Sequence, residues 1–321
     1  MGKRRPDASW LDIVIYHMIS LSFFLLGRIP RKTAFRLTDC IGRLWFAFDR
    51  RHRAVAIENL SMVYGDRMPP AEIRRLARRV FCNLTMIAYE IGWSMSLDTD
   101  RLVKHFRFYG MHHLHDARKK GKGVLVLTGH IGNWELLLVV AAIMNMPFSA
   151  VYRPLDFKPL DMFFEDIRNA TGIKLHPKKG AILKVLRSLR NKEGMGILLD
   201  QNTKAESGVI VNFLGRPANT HYGLALLAKR SGAPVIPAFV IREEGCYSVR
   251  ILPEVPLIQT GDDELDIMEN TRLYNRALES VIMAYPEQWF WIHKRWKLRP
   301  GRKETKKEKT GMIWKNRLGV S

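Results

Sequence analysis

The chain has 321 residues, 47% of them hydrophobic, enough to bury one large core and too apolar for a disordered protein. Its formal charge of +21 exceeds what solubility requires and points to an anionic partner: a membrane surface, an acidic protein or a nucleic acid. Cys40, Cys82 and Cys246 show no CxxC spacing and cannot all pair within the chain, which argues against a disulfide framework and predicts reduced, buried thiols facing the cytosol.

Trp10 to Pro30 is almost wholly apolar, fenced by Asp12 and Arg28, and predicts a hydrophobic membrane-anchor helix over residues 1–30. Its length lies at the lower limit of the roughly 20 apolar residues that span a bilayer, so a span, a half-sunk interfacial helix and a buried core helix all fit. No small-residue cleavage site follows Lys3, Arg4 and Arg5, which disfavours a signal peptide. Arg28, Arg31, Lys32, Arg36 and Arg43 make the downstream flank the more basic, so a span would leave the bulk of the chain in the cytoplasm. Next, Pro69-Pro70 opens a helix in which Ile73, Leu76, Val80, Leu84, Ile87 and Ile91 recur at helical spacing as far as about Trp93. Arg74, Arg75, Arg78 and Arg79 fall on its other side, facing solvent or a membrane. Met111-His-His-Leu-His-Asp116 has the residue types but not the spacing of a metal site, and predicts an exposed helix start.

From Gly123 short apolar runs alternate with amphipathic stretches, the mark of an α/β domain with a mainly parallel central sheet flanked by helices. The runs are Val124 to Leu127, Ser149 to Tyr152, Met195 to Leu199, Val235 to Ile241 and Tyr247 to Leu252. Helices are predicted at Glu135 to Met144, Leu160 to Asn169, Ala181 to Arg190, Tyr222 to Ser231 with Gly232 as C-cap, and Thr271 to Ala284. Residues 31–300 read as one catalytic domain, and 301–321 as a disordered basic tail able to rest on anionic headgroups.

In such a sheet, active groups gather beyond the carboxyl ends of the strands. His130, Arg153 and Asp200 follow three of these runs. His130 and Glu135, five residues apart, would diverge by about 140° on one helix. With His130 in the Gly129 to Gly132 turn and Glu135 in the first helical turn, the carboxylate can fold back onto the imidazole, the usual arrangement of a general base. A core histidine capped by a carboxylate fits the spacing equally. GxSxG, Walker A and HExxH motifs are absent, disfavouring serine hydrolase, nucleotide triphosphatase and zinc protease.

The stretch Gly129-His-Ile-Gly-Asn-Trp-Glu135 resembles the His-x4-Asp/Glu motif of the glycerolipid acyltransferase superfamily, in the form of the bacterial lipid A biosynthesis acyltransferases. Tyr152-Arg-Pro-Leu155, Arg168-Asn-Ala-Thr-Gly172, Leu199-Asp-Gln201, Phe213-Leu-Gly-Arg-Pro-Ala218, Ala233-Pro-Val-Ile-Pro237 and Pro286 to Pro300 resemble that family's blocks in its order, over Asn59 to Pro300. The Pro-Glu-Gly block of the wider superfamily is absent, and Leu-Asp-Gln stands in its place. The resemblance implies an enzyme that moves a fatty acyl chain from acyl-carrier protein to a hydroxyl of a lipid A precursor, on the cytoplasmic face of a bacterial inner membrane. It implies His130 as base and Glu135 as its orienting carboxylate, Arg168 for a lipid phosphate or the oxyanion, and Asp200 to fix that arginine or support His130. Arg153 is a further phosphate candidate, or a loop salt bridge. Alcoholysis of a thioester requires no metal and no redox cofactor. His293-Lys-Arg-Trp-Lys297 could pair Arg295 with an anionic group or cap the domain, and Trp289, Phe290 and Trp291 read as core or membrane-edge aromatics rather than nucleic-acid platforms. Two alternatives stay open: acylation of another glycolipid such as phosphatidylinositol mannoside, and a non-catalytic basic protein bound to membrane or nucleic acid.

Overall fold

The structure, a computed structural model, describes residues 8–152, 154–177 and 180–297. Arg153 and the basic tail 301–321 lie outside the described residues. Four helices come first: α1 (Trp10–Arg28), α2 (Arg31–Phe48), α3 (Arg50–Tyr64) and α4 (Pro70–Met95). The remainder alternates α5 (Thr99–Val103), β1 (Phe106–Tyr109), α6 (Met111–Lys119), β2 (Val124–Thr128), α7 (Leu136–Ile143), β3 (Phe148–Tyr152), α8 (Lys158–Ala170), β4 (Lys174–Pro177), α9 (Ala181–Arg190) and β5 (Gly194–Leu198). After these follow the strands β6 (Gly208–Phe213) and β7 (Arg216–His221), α10 (Gly223–Ser231), β8 (Val235–Arg242), β9 (Tyr247–Ile251) and α11 (Asp263–Ala284).

Seven strands form one sheet in the order β1-β9-β8-β2-β5-β3-β4, parallel at every neighbouring pair except β8 with β9. The mainly parallel sheet with flanking helices is thus as expected from the alternating pattern. Its central strands are apolar on both faces because helices cover both: all five residues of β2 are buried. On α4, Ile73, Leu76, Ala77, Val80 and Phe81 face the core while the four expected arginines point outward, all exposed.

Several elements differ from the sequence expectation. β6 and β7 form a separate antiparallel hairpin, turned by Leu214 and Gly215 with φ of 50° and 81°; Pro217 and Asn219 broke its strand pattern. α11 starts eight residues before the expected Thr271, because the Asp262 side chain accepts from the N–H groups of Glu264 and Leu265 and acidic residues fill the first turn. The cysteines are all free, but only Cys246 is buried; Cys82 is half-buried and Cys40, on the outer side of α2, is exposed.

Candidate active site

The parallel register of β2 and β5 pairs Thr128 with Leu198. Beyond each strand the chain continues two residues, the Leu199 N–H donating to the Thr128 carbonyl at 3.1 Å, so His130 and Asp200 arrive side by side at the carboxyl edge. His130 Nδ1 lies 2.9 Å from Asp200 Oδ1, and the His130 backbone N–H donates to Asp200 Oδ2, also at 2.9 Å. Trp289 Nε1 donates to that same Oδ2 at 2.9 Å. A side chain at position 129 would come within 3.1 Å of the Asp200 carboxyl carbon, so the glycine lets the two strand ends close.

Asp200 is 2% exposed. Burial alone would raise its carboxyl, yet the His130 ring and the hydrogen bonds from His130 and Trp289 hold it at about 2. An ionised carboxylate there accepts only, so it fixes the proton on Nδ1 and leaves Nε2 with its lone pair. Nε2 lies 3.3 Å from the side-chain nitrogen of Gln201, and the ring is flanked by Trp134 and Phe290, whose ring centroids lie 4.8 and 5.8 Å from the imidazole.

Glu135 sits elsewhere than expected. The carboxylate on the imidazole is Asp200, and both Glu135 oxygens are taken by the Arg168 guanidinium: Nη2 to Oε1 at 2.6 Å and Nε to Oε2 at 3.1 Å. The physical reason is the helix start. Glu135 already has helical dihedrals at the N-cap of α7, which turns its side chain toward the end of α8 rather than back over the loop. Burial works against the Arg168 charge, but the adjoining Glu135 raises its pKa above the ordinary value. Two pairs therefore stand at this edge, His130 with Asp200 and Glu135 with Arg168; of the two roles expected for Asp200, it has the support of His130, and Arg168 is fixed by Glu135 instead.

The loop carrying His130 is clamped on both sides. Phe290 N–H donates to the His130 carbonyl at 3.1 Å, Gly132 N–H to the Gln288 carbonyl at 2.9 Å, and Asn133 N–H to the Val240 carbonyl at 3.0 Å. Gly132 has φ of 62°, and a Cβ there would meet the Val240 oxygen at 1.9 Å. The fully buried Asn133 side chain donates to Glu90 Oε2 at 2.9 Å, and that carboxylate is also bound by Arg242. Arg295 is fully buried, donating to the Asn219 carbonyl and to Thr220 Oγ1, each at 2.6 Å. It caps the β7 hairpin, and burial pushes it down to about 10.

Trp289, Gln201, Asn133 and Glu90 were not singled out as site residues from the sequence. Leu199-Asp-Gln201 and Pro286 to Pro300 stood among the blocks, but nothing local to Trp289 says that it meets a carboxylate 89 positions away. Beside Trp134 and Thr128 an apolar cavity of about 70 Å³ extends under the sheet, reaching Ala141, Met144, Met146 and Phe148.

A family model described as bacterial lipid A biosynthesis acyltransferase matches residues 2–298. The chain is 27% identical over 271 residues to a lipid A biosynthesis acyltransferase of Haemophilus influenzae, covering 84% of this chain and 83% of that one. It is 26% identical over 298 residues to the lipid A biosynthesis lauroyltransferase of Escherichia coli, covering 91% and 92%. A phosphatidylinositol mannoside acyltransferase of Mycolicibacterium smegmatis is 25% identical over 242 residues, 74% and 77% of the two chains.

Proposed function

The chain belongs to the bacterial lipid A biosynthesis acyltransferase family, and from that premise we propose that it moves a fatty acyl chain from acyl-carrier protein to a hydroxyl of a lipid A precursor. His130 is the general base, and Asp200 is the carboxylate that holds it. The observation that carries this reading is the 2.9 Å bond between His130 Nδ1 and a buried, ionised Asp200, which leaves Nε2 as the proton acceptor at the open end of the site.

In the reaction the acceptor hydroxyl oxygen attacks the thioester carbonyl carbon while its proton passes to His130 Nε2. Asp200 stabilises the imidazolium that forms. The tetrahedral intermediate collapses with cleavage of the carbon–sulfur bond, and the leaving thiolate takes the proton back from Nε2. The products are an ester and the free carrier thiol. Gln201 rests on Nε2 and is displaced by the hydroxyl. Arg168, held in a fixed plane by Glu135, offers its guanidinium to a phosphate of the acceptor or to the developing oxyanion. The cavity beneath Trp134 takes the methyl end of the acyl chain. The work is done at the cytoplasmic face of the inner membrane, where both acyl-carrier protein and the precursor are available.

The test is transfer of labelled acyl chain by purified protein from acyl-carrier protein, or from coenzyme A, to a lipid A precursor, with phosphatidylinositol mannoside as the competing acceptor. The expected product is acylated lipid A precursor, and His130→Ala lowers turnover by about 10²–10⁴-fold. A folded His130→Ala protein with normal turnover removes the mechanism. Preference for the mannoside removes the acceptor and keeps the chemistry.

A further inference from the structure

The two faces of α1 have different surroundings. On one, Tyr16 donates to Asp166 Oδ2 of α8 at 2.7 Å, Phe23 packs on Phe163 with ring centroids 4.4 Å apart, and Gly27 is buried against Gly92 of α4. Ile19 joins the same cluster, with Ile87 and Ile91 of α4. Residues 16, 19, 23 and 27 recur at helical spacing, so α1 lies lengthwise on α4 and α8. The other face is bare: Trp10, Val14, Met18, Leu21 and Leu25 are between 45% and 76% exposed. An apolar stripe of this extent marks an interaction surface. The chain carries a net charge of +21, and Arg28 and Lys32, at and just beyond the end of α1, are basic.

A crossing α1 would have to take its docked neighbours with it. The helix is about 28 Å long and Tyr16 sits about 9 Å along it. Spanning would therefore draw Asp166, an exposed carboxylate, into the hydrocarbon together with Glu165 on the same helix, where charged side chains are strongly disfavoured. Undocking α1 instead would expose Phe163, Ile87 and Ile91, each no more than 6% exposed now. We infer that α1 does not cross the membrane: it lies in the plane of one leaflet, docked on α4 and α8, with its bare face sunk among the lipids of an anionic bilayer. Because α8 carries Arg168 near its end, the helix that seats the protein on the leaflet is braced against the one that bears the guanidinium paired with Glu135. The inference does not depend on the chemistry proposed above, and its experiment reads no turnover.

The experiment places a thiol next to the start of α1 with Ala8→Cys and uses native Cys40, exposed on α2, as the marker beyond its end. Cys246 is buried, and burial pushes the Cys82 thiol up to about 12, so both stay unreactive. Spheroplasts and inverted inner-membrane vesicles of an expressing bacterium are treated with a membrane-impermeant maleimide, and each site is read by peptide mass. Position 8 and Cys40 are expected to label in the same preparation and to stay unlabelled in the other. Labelling of one site in each preparation means that α1 crosses and overturns the inference, as does recovery of the full-length protein in the soluble fraction. In a parallel arm, purified full-length protein is sedimented with phosphatidylcholine vesicles with and without phosphatidylglycerol. Binding at least about tenfold stronger with the anionic lipid is expected, and equal binding overturns the anionic assignment.

Discussion

At Asp200 three donors converge on two oxygens: His130 N–H and Trp289 Nε1 share Oδ2, and His130 Nδ1 takes Oδ1. In Asp200→Asn the amide oxygen keeps the two donors and the amide nitrogen turns to Nδ1, which must then accept. The proton moves to Nε2 and the base is lost. Turnover is expected to fall by about 10³-fold, with a lower melting temperature at neutral pH because the stabilising charge is gone, and raising the pH does not restore activity, which steady-state assays across pH check. The same carboxylate sets an acid limit. Its folded value of about 2 lies below the ordinary carboxylate range, so its contribution is fully present above about pH 4 and is lost as the pH falls toward 2. Thermal melts between those values should drop more steeply for the native protein than for Asp200→Asn. At Arg168, lysine keeps the charge and loses the two-point contact with Glu135. Arg168→Lys is expected to lower kcat/KM by about tenfold or more, read in the same transfer assay.

The elements matter through the clamp on the His130 loop. Asn133 ties that loop to α4 through Glu90, and Glu90 in turn neutralises Arg242 of β8, with Asn83 on the same guanidinium. The group is buried, so removing one partner leaves the other uncompensated. Glu90→Gln is expected to destabilise by about 3–5 kcal/mol, seen in denaturant melts, and to lower turnover along with it because the loop loses its anchor. Around this clamp, α1 and α2 both pack on α4, so the N-terminal helices bear on the site through one shared helix.

For the whole molecule, the cavity under the sheet is where the proposed acyl site lies. It is walled by elements far apart in the chain, from Leu114 to Ile251, and Ala141 of α7 projects into it. Ala141→Leu narrows this cavity and is expected to shift preference toward shorter acyl chains, measured by competing donors of different length in one reaction. An unchanged length profile would place the acyl chain elsewhere.

The sequence by itself determined the α/β alternation, the run of α4 from Pro70, the strand ends that bear His130 and Asp200, and the family to which their blocks belong. These are periodic or local signals, and short-range physics suffices to read them. Only the tertiary structure decided which carboxylate meets His130 and which meets Arg168. From spacing, Glu135 was the neighbour of His130; the register of β2 against β5 brings Asp200 there instead and leaves Glu135 to Arg168. Trp289 and Glu90 reach the site across 89 and 43 positions of chain respectively, and the docking of α1 depends on residues of α4 and α8 that no N-terminal pattern reveals. Pairing across a sheet and packing between helices are set by closure of the whole core, and a linear pattern carries the faces without their partners.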